Sequence, residues 1–288
     1  MNHASNFITN QKHKKEVVMK KFILVMVISF LMFSVCYLTK AQQVTLGFIG
    51  DKGTFLDFNN NAFAWAEKTF QAKLIAPQDI TKTDLTKYAV LWWQDGDTDP
   101  TALLDKSTSS ALMKYIESGG SLLLSSAAEK LATALGVESG NPRIYGPGAD
   151  GNTAGVIIRE DTLKHPVWEG FNRVAGEKIQ VTSKGFPKSS DYYDKTFKEA
   201  TTIGDTWENA TMYDDRVGAF VEWTNNTGKG IIFGMGWRIP HWSDDNKDIK
   251  TLQKLTTNVI NYLASKSLYF AVTPKGNISS TWGEIKEK

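Results

Sequence analysis

The apolar positions of this chain come in short unbroken runs separated by amphipathic stretches. Residues 44–49 (VTLGFI), 88–93 (YAVLWW) and 121–125 (SLLLS) are continuous runs of strand length, and 73–76 is a shorter one. Continuous rather than alternating runs belong to strands covered on both faces. Between them, residues 59–70, 107–118 and 127–135 read as helices. Leu112, Met113 and Ile116 mark one face of the second, Gly119-Gly120 stops it, and Gly136 stops the third. Strands alternating with helices predict a parallel sheet with helices on both sides. The middle is less regular. Residues 138–155 are rich in Gly, Asn and Pro and read as a long loop, followed by short β candidates at 155–158, 177–182 and 200–206. The pattern returns at 217–223 and 230–234 (GIIFG). An amphipathic helix at 251–263 carries Leu252, Leu255, Val259, Ile260 and Leu263 at helical spacing, and a polar tail closes the chain at 273–288. No internal repeat or heptad run is present.

Composition adds a leader. Lys20-Lys21 precede an uncharged apolar run at 22–38, and Thr39-Lys40-Ala41 fits the small-x-small pattern of a signal-peptidase site. Residues 1–41 are therefore expected to be a signal peptide, with Met19 as the expected true start. The run is shorter than the roughly 20 residues that span a bilayer, which disfavours an uncleaved anchor. Val35 before Cys36 disfavours a lipoprotein. The leader holds six of the 33 Lys/Arg and one of the 31 Asp/Glu, so the remaining 247 residues carry a net charge of −3. That balance argues against nucleic-acid binding, which needs a basic surface. Cys36 is the sole cysteine. Once the leader is removed, disulfides, thiolate metal sites and a cysteine nucleophile are excluded.

Three stretches carry a resemblance: YIESGGSLLLSSAAEKLATALGV (115–137), HPVWEGF (165–171) and NNTGKGIIFGMGWRIPHW (225–242). Together they resemble the class I glutamine-amidotransferase-like superfold, in the branch with trehalose-utilisation-type proteins. More narrowly, the chain looks like a family of uncharacterised exported domains from bacterial polysaccharide-utilisation clusters, often beside fructan-handling genes. The likeness implies an α/β three-layer sandwich with a mostly parallel, flavodoxin-like central sheet. It would form a single domain over 42–265, with 266–288 as a C-terminal strand or tail. Glutamine amidotransferases place a cysteine on a strained turn after a central strand. The equivalent turn here is Ser125-Ser126-Ala127-Ala128, without the cysteine or the flanking glycines of a nucleophile elbow. Glutaminase activity is not expected.

Ligands of open α/β sheets bind beyond the carboxyl ends of the strands. That rule selects Asp51-Lys52, Gln94-Asp95 with Asp97, Ser125-Ser126, and Trp237-Arg238 with His241-Trp242. A serine hydrolase would pair Ser126 with His241, oriented by Asp244 or Asp95. Against this, Ser126 and Glu129 have the spacing of a helix capping box. A sugar site would use indole faces for C–H patches and polar groups for hydroxyls. Trp237 and Trp242 suit either that role or the core, whereas Trp92, Trp93 and Trp223 read as core. Asp51, Gln94, Asp95, Arg238 and His241 would supply the polar groups. The Asp95–Asp99 turn fails as an EF-hand, since Pro100 and Lys106 occupy its glycine and bidentate-acid positions. His165 and His241 lie too far apart to suggest zinc. His165-Pro166 marks a turn. Residues 146–151 and 228–236 do not match a phosphate-binding fingerprint.

These readings converge on an exported, non-catalytic glycan-binding protein of a polysaccharide-utilisation system, acting on an oligo- or polysaccharide such as fructan. No metal or other cofactor is expected, and envelope glycan-uptake proteins are the expected partners. The alternatives are a glycan-directed hydrolase or esterase using Ser126 and His241 or rim carboxylates, and a structural partner at the cell envelope.

Overall fold

The computed structural model describes residues 44–50, 57–95, 99–140, 143–145, 153–183, 189–191, 197–209, 218–236 and 241–270. The leader and residues 271–288 lie outside them, as do Asp51, Lys52, Asp97, Trp237 and Arg238. No helix among the described residues is long and apolar enough to cross a membrane.

The first half follows the apolar pattern. Strand β1 (Leu46–Ile49) leads through helix α1 (Asp57–Phe70) to β2 (Lys73–Ile75), and two 3-10 turns lead on to β3 (Val90–Asp95). Helix α2 (Lys106–Glu117) starts where the Asp105 carboxylate accepts a 2.7 Å bond from the Thr108 N–H. It stops at Gly119, whose φ of 111° favours a residue without Cβ. Strand β4 (Ser121–Ser126) follows, then a 3-10 turn (Ala127–Lys130) and a short helix α3 (Leu131–Ala134).

The second half departs from the expected loop and sheet. Part of the 138–155 loop is strand β5 (Arg143–Tyr145), paired antiparallel with β8 (Ser189–Asp191) in a small separate sheet. The remaining strands β6 (Ala154–Ile158), β7 (Lys178–Thr182), β9 (Thr201–Glu208), β10 (Gly218–Trp223) and β11 (Ile231–Met235) complete a nine-stranded sheet. Its order is β2-β1-β3-β4-β11-β10-β9-β6-β7. The strands from β2 to β11 run parallel in the 2-1-3-4-5 order of flavodoxin-like sheets, and every pairing from β11 to β7 is antiparallel. The expectation of a mostly parallel sheet is therefore corrected: the sheet is mixed. The reason is partly chain length. Only residues 224–230 join β10 to β11, and a parallel crossover needs a dozen or more.

The sheet is covered on both sides. On one face Phe48, Trp92, Leu123 and Phe233 pack under α1 and the last helix, α4 (Ile249–Lys266). On the other, Ile49, Leu91, Trp93 and Leu124 pack against α2 and the 127–135 segment. Trp92 and Trp93 fall into different clusters because neighbouring strand residues point to opposite faces. The antiparallel end wraps toward α4: Asn246, just before that helix, donates to Val181 O of β7, and Gln180 donates to Asp248.

Candidate functional site

The carboxyl ends of the parallel strands finish at one level. Gln94 of β3 is in register with Ser125 of β4, and Asp95 with Ser126; Met235 of β11 is in register with Ser125 on the other side. Neighbouring strands lie about 4.8 Å apart, so Asp95 and Ser126 are adjacent at the rim. The two pairs face opposite ways. Gln94 and Ser125 share the face of Trp92, whereas Asp95 and Ser126 share the face of Trp93.

Ser126 holds a backbone conformation of φ 61°, ψ −130°, and its side chain makes no capping bond to the following turn. The capping-box reading is thus not realised. The strand–turn–helix geometry and the positive φ are those of a strained elbow, formed here without flanking glycines. The glycines that matter lie on the next strand. A Cβ at Gly234 or Gly236 would collide with the Glu129 carboxylate, which is fully buried behind Ser126.

On the opposite face, three side chains form a directed chain. The Trp92 indole N–H donates to Ser125 Oγ at 2.7 Å, and the Ser125 hydroxyl donates to Gln94 Oε1 at 2.5 Å. Trp242 packs beside Trp92 with ring centroids 5.6 Å apart and beside Trp65 at 4.9 Å. Its carbonyl accepts a 2.9 Å bond from the Asn61 amide. Asn246 holds the same segment by donating to the His241 carbonyl. Trp242 is 1% exposed and His241 is also buried. Of the two roles the sequence leaves open for Trp242, the structure shows the packing one: its indole lies between aromatic neighbours under α1 and α4. Ser126 ends β4, and His241 lies six residues beyond the end of β11, the strand paired with β4.

Trp242 also borders a surface hollow of about 580 Å³ between α1 and α4. Asn61, Trp65 and Lys68 line it from α1, Lys250 and Gln253 from α4, and Asp244 from the preceding loop. Trp65 is half-buried there and leaves part of its indole open. Sequence reasoning misses this place. Its signal is the spacing of Asn61, Ala64, Trp65 and Lys68, which puts all four on one helix face.

Elsewhere Asp99 is used structurally. Asp99 accepts from Thr101 and from Lys130 Nζ at 2.7 Å. Burial alone would raise its carboxyl, but these bonds outweigh it and hold the group below its usual value. No cluster of metal-ligating side chains occurs among the described residues. His165 caps the 3-10 turn Pro166–Trp168, with its Nδ1 accepting from the Val167 N–H. Burial pushes its imidazole down to about 4, with Lys266 adding to the effect.

No family model and no curated protein matches the chain. Solved structures do. PurLQS from Thermotoga maritima aligns with a TM-score of 0.52 at 13% identity, covering 77% of this chain and 100% of that one. The likeness is that of an α/β fold. A putative GMP synthase subunit from Thermoplasma acidophilum aligns at 0.44 and 9% identity, over 85% of this chain and 99% of that one. Gan42B, a GH42 β-galactosidase from G. stearothermophilus, aligns at 0.46 and 13% identity. There the match covers 75% of this chain but only 30% of the galactosidase. At these identities the likeness is one of fold alone.

Proposed function

We propose that the protein is an exported, non-catalytic glycan-binding module that takes its ligand in the hollow between α1 and α4. The observation that carries this reading is the make-up of that hollow: a half-open Trp65 indole beside Asn61, Gln253, Asp244 and two lysines. Sugar rings present C–H patches that stack on indole, and their hydroxyls need oriented amides and carboxylates. A volume of about 580 Å³ suits one or two sugar residues. The apolar leader, the absence of cysteine after position 36 and the resemblance to exported polysaccharide-utilisation domains support the same reading.

Calorimetric titration with oligofructose and a broad glycan panel tests it. At least one glycan should bind, and Trp65→Ala should weaken that binding by tenfold or more. Identical titrations of the two proteins would remove the site, and silence across the panel would remove the function.

The backbone of Ser126 favours a second reading, a hydrolase or esterase of glycan substituents. Its discriminator is turnover of acetylated sugars. Activity abolished by Ser126→Ala would place this reading first.

A further inference from the structure

The antiparallel half of the sheet has a second face. Val156 and Ile158 of β6 belong to the cluster under α4, so the alternate residues Gly155 and Ile157 lie on the other side. Strand pairing sets Trp207 of β9 beside Gly155 and Asp205 beside Ile157. The Trp207 indole crosses β6 there. A Cβ on Gly155 would lie 2.8 Å from its Nε1, and that N–H donates to the Ile179 carbonyl of β7 at 3.4 Å. An indole that reaches from β9 over β6 to β7 lies along the sheet and turns a ring face outward. It is half-buried, and the exposed Lys178 holds its Nζ 5.4 Å from the ring centroid. Such a contact at an exposed site is weak, so Lys178 yields the ring to a ligand.

Asp205 lies two residues from Trp207, about 7 Å along the strand. It lines a hollow of about 620 Å³ together with Ile157, Arg159, Glu160 and Asp161. Arg159 donates through Nε and Nη2 to Asp161 and through Nη1 to Asp205 Oδ1, each at 3.0 Å. A guanidinium has further N–H groups to give. Asp205 is 8% exposed, and its Oδ2 has no partner among the described residues. A spare donor and a spare acceptor therefore stand side by side. Three carboxylates against one guanidinium disfavour an anion, and a cation beside Asp205 would meet the Arg159 charge. An uncharged hydroxyl satisfies both groups, since its oxygen accepts from Arg159 and its hydrogen goes to Asp205. An indole face next to such a pair is the make-up of a sugar site.

We propose that this face is a second glycan subsite, with Trp207 stacked on one sugar ring and Arg159 and Asp205 bound to hydroxyls of a neighbouring one. The proposal goes beyond the reading above, because α1 and α4 cover the opposite face of the sheet. One molecule would then hold two glycan segments and gain avidity for a polymer.

Calorimetry on the purified protein with fructo-, cello- and malto-oligosaccharides counts the sites. At least one of these ligands should fill two sites on the wild type. Trp207→Ala should weaken one of them by about tenfold or more and leave the other, and Trp65→Ala should do the reverse. Asp205→Asn keeps an oxygen for Arg159 and removes the spare acceptor, so it should weaken the same site as Trp207→Ala in a protein that still melts cooperatively. In ¹⁵N spectra of the wild type, the indole N–H that is absent in Trp207→Phe should shift on titration. A single site lost in Trp65→Ala and untouched by Trp207→Ala overturns the proposal and leaves glycan binding at the α1–α4 hollow standing. A single site with the opposite response upholds this subsite and removes that hollow. An unmoved Trp207 signal, or tighter binding here of oligogalacturonides or glucosamine oligomers than of the neutral sugars, also overturns it. If no glycan binds, both readings fall together. The wild-type count of sites needs no variant to fold.

Discussion

Ser126 shows how much one residue can store. A serine at φ 61°, ψ −130° is held in a region that favours glycine, at a cost of about 1–3 kcal/mol. Ser126→Gly should therefore stabilise the protein by about 1 kcal/mol, after allowing for the extra freedom of the unfolded chain. In a domain of this size that is a rise in Tm of roughly 2–4 °C. Ser126→Val should lower it by at least as much. A fall in Tm for the glycine variant, read by calorimetry, would show that the turn is not strained. The position was legible in the sequence as the end of a continuous apolar run. The conformation was not, since Ser-x-x-Glu before a helical segment equally describes a cap that this chain does not form.

At the scale of elements, the antiparallel half of the sheet depends on close backbone approach. Gly155 of β6 lies at a register shift against β7, and a Cβ there would collide with the Ile179 carbonyl. Gly136 also has positive φ, at 78°, but faces open space. Gly155→Ala should cost roughly 2–4 kcal/mol through forced strand separation. Gly136→Ala should cost about 1 kcal/mol, from its backbone alone. Denaturant melts of both variants measure the difference, and equal losses would mean that β7 can shift freely. The strands β1, β3 and β4 were legible because burial on both faces leaves an unbroken apolar run. The direction of β10, β9, β6 and β7 was not, because pairing sense is set by connections and neighbours rather than by apolar content.

For the molecule as a whole, the main titrating lock among the described residues lies between the Pro166–Trp168 turn and α4. The His165 ring meets Tyr262 edge-on at 4.5 Å, and Tyr262 donates to Glu222 at 2.5 Å. His165 titrates near 6.5 when unfolded and about 4 when folded. Between those values the unfolded chain binds more protons, so stability falls as pH drops from about 6.5 to about 4. Partial exposure reduces the effect to on the order of 1–2 kcal/mol. Glu222, whose carboxyl is raised by burial, acts in the opposite sense: its penalty appears as pH rises past the usual carboxylate value. His165→Asn keeps an acceptor for the turn and removes the titration. Its Tm should fall less steeply than that of the wild type over the same window, and parallel curves would exclude His165 as the source. Across these scales the division of labour is physical. Apolar runs and glycine stops, which are local, determined the strands, the helices and the level at which Gln94, Asp95 and Ser126 end. The hollow was decided only in three dimensions. It requires Asn61 to meet Trp242 across 181 positions of chain and α1 to lie against α4, and no local pattern encodes which helix faces converge.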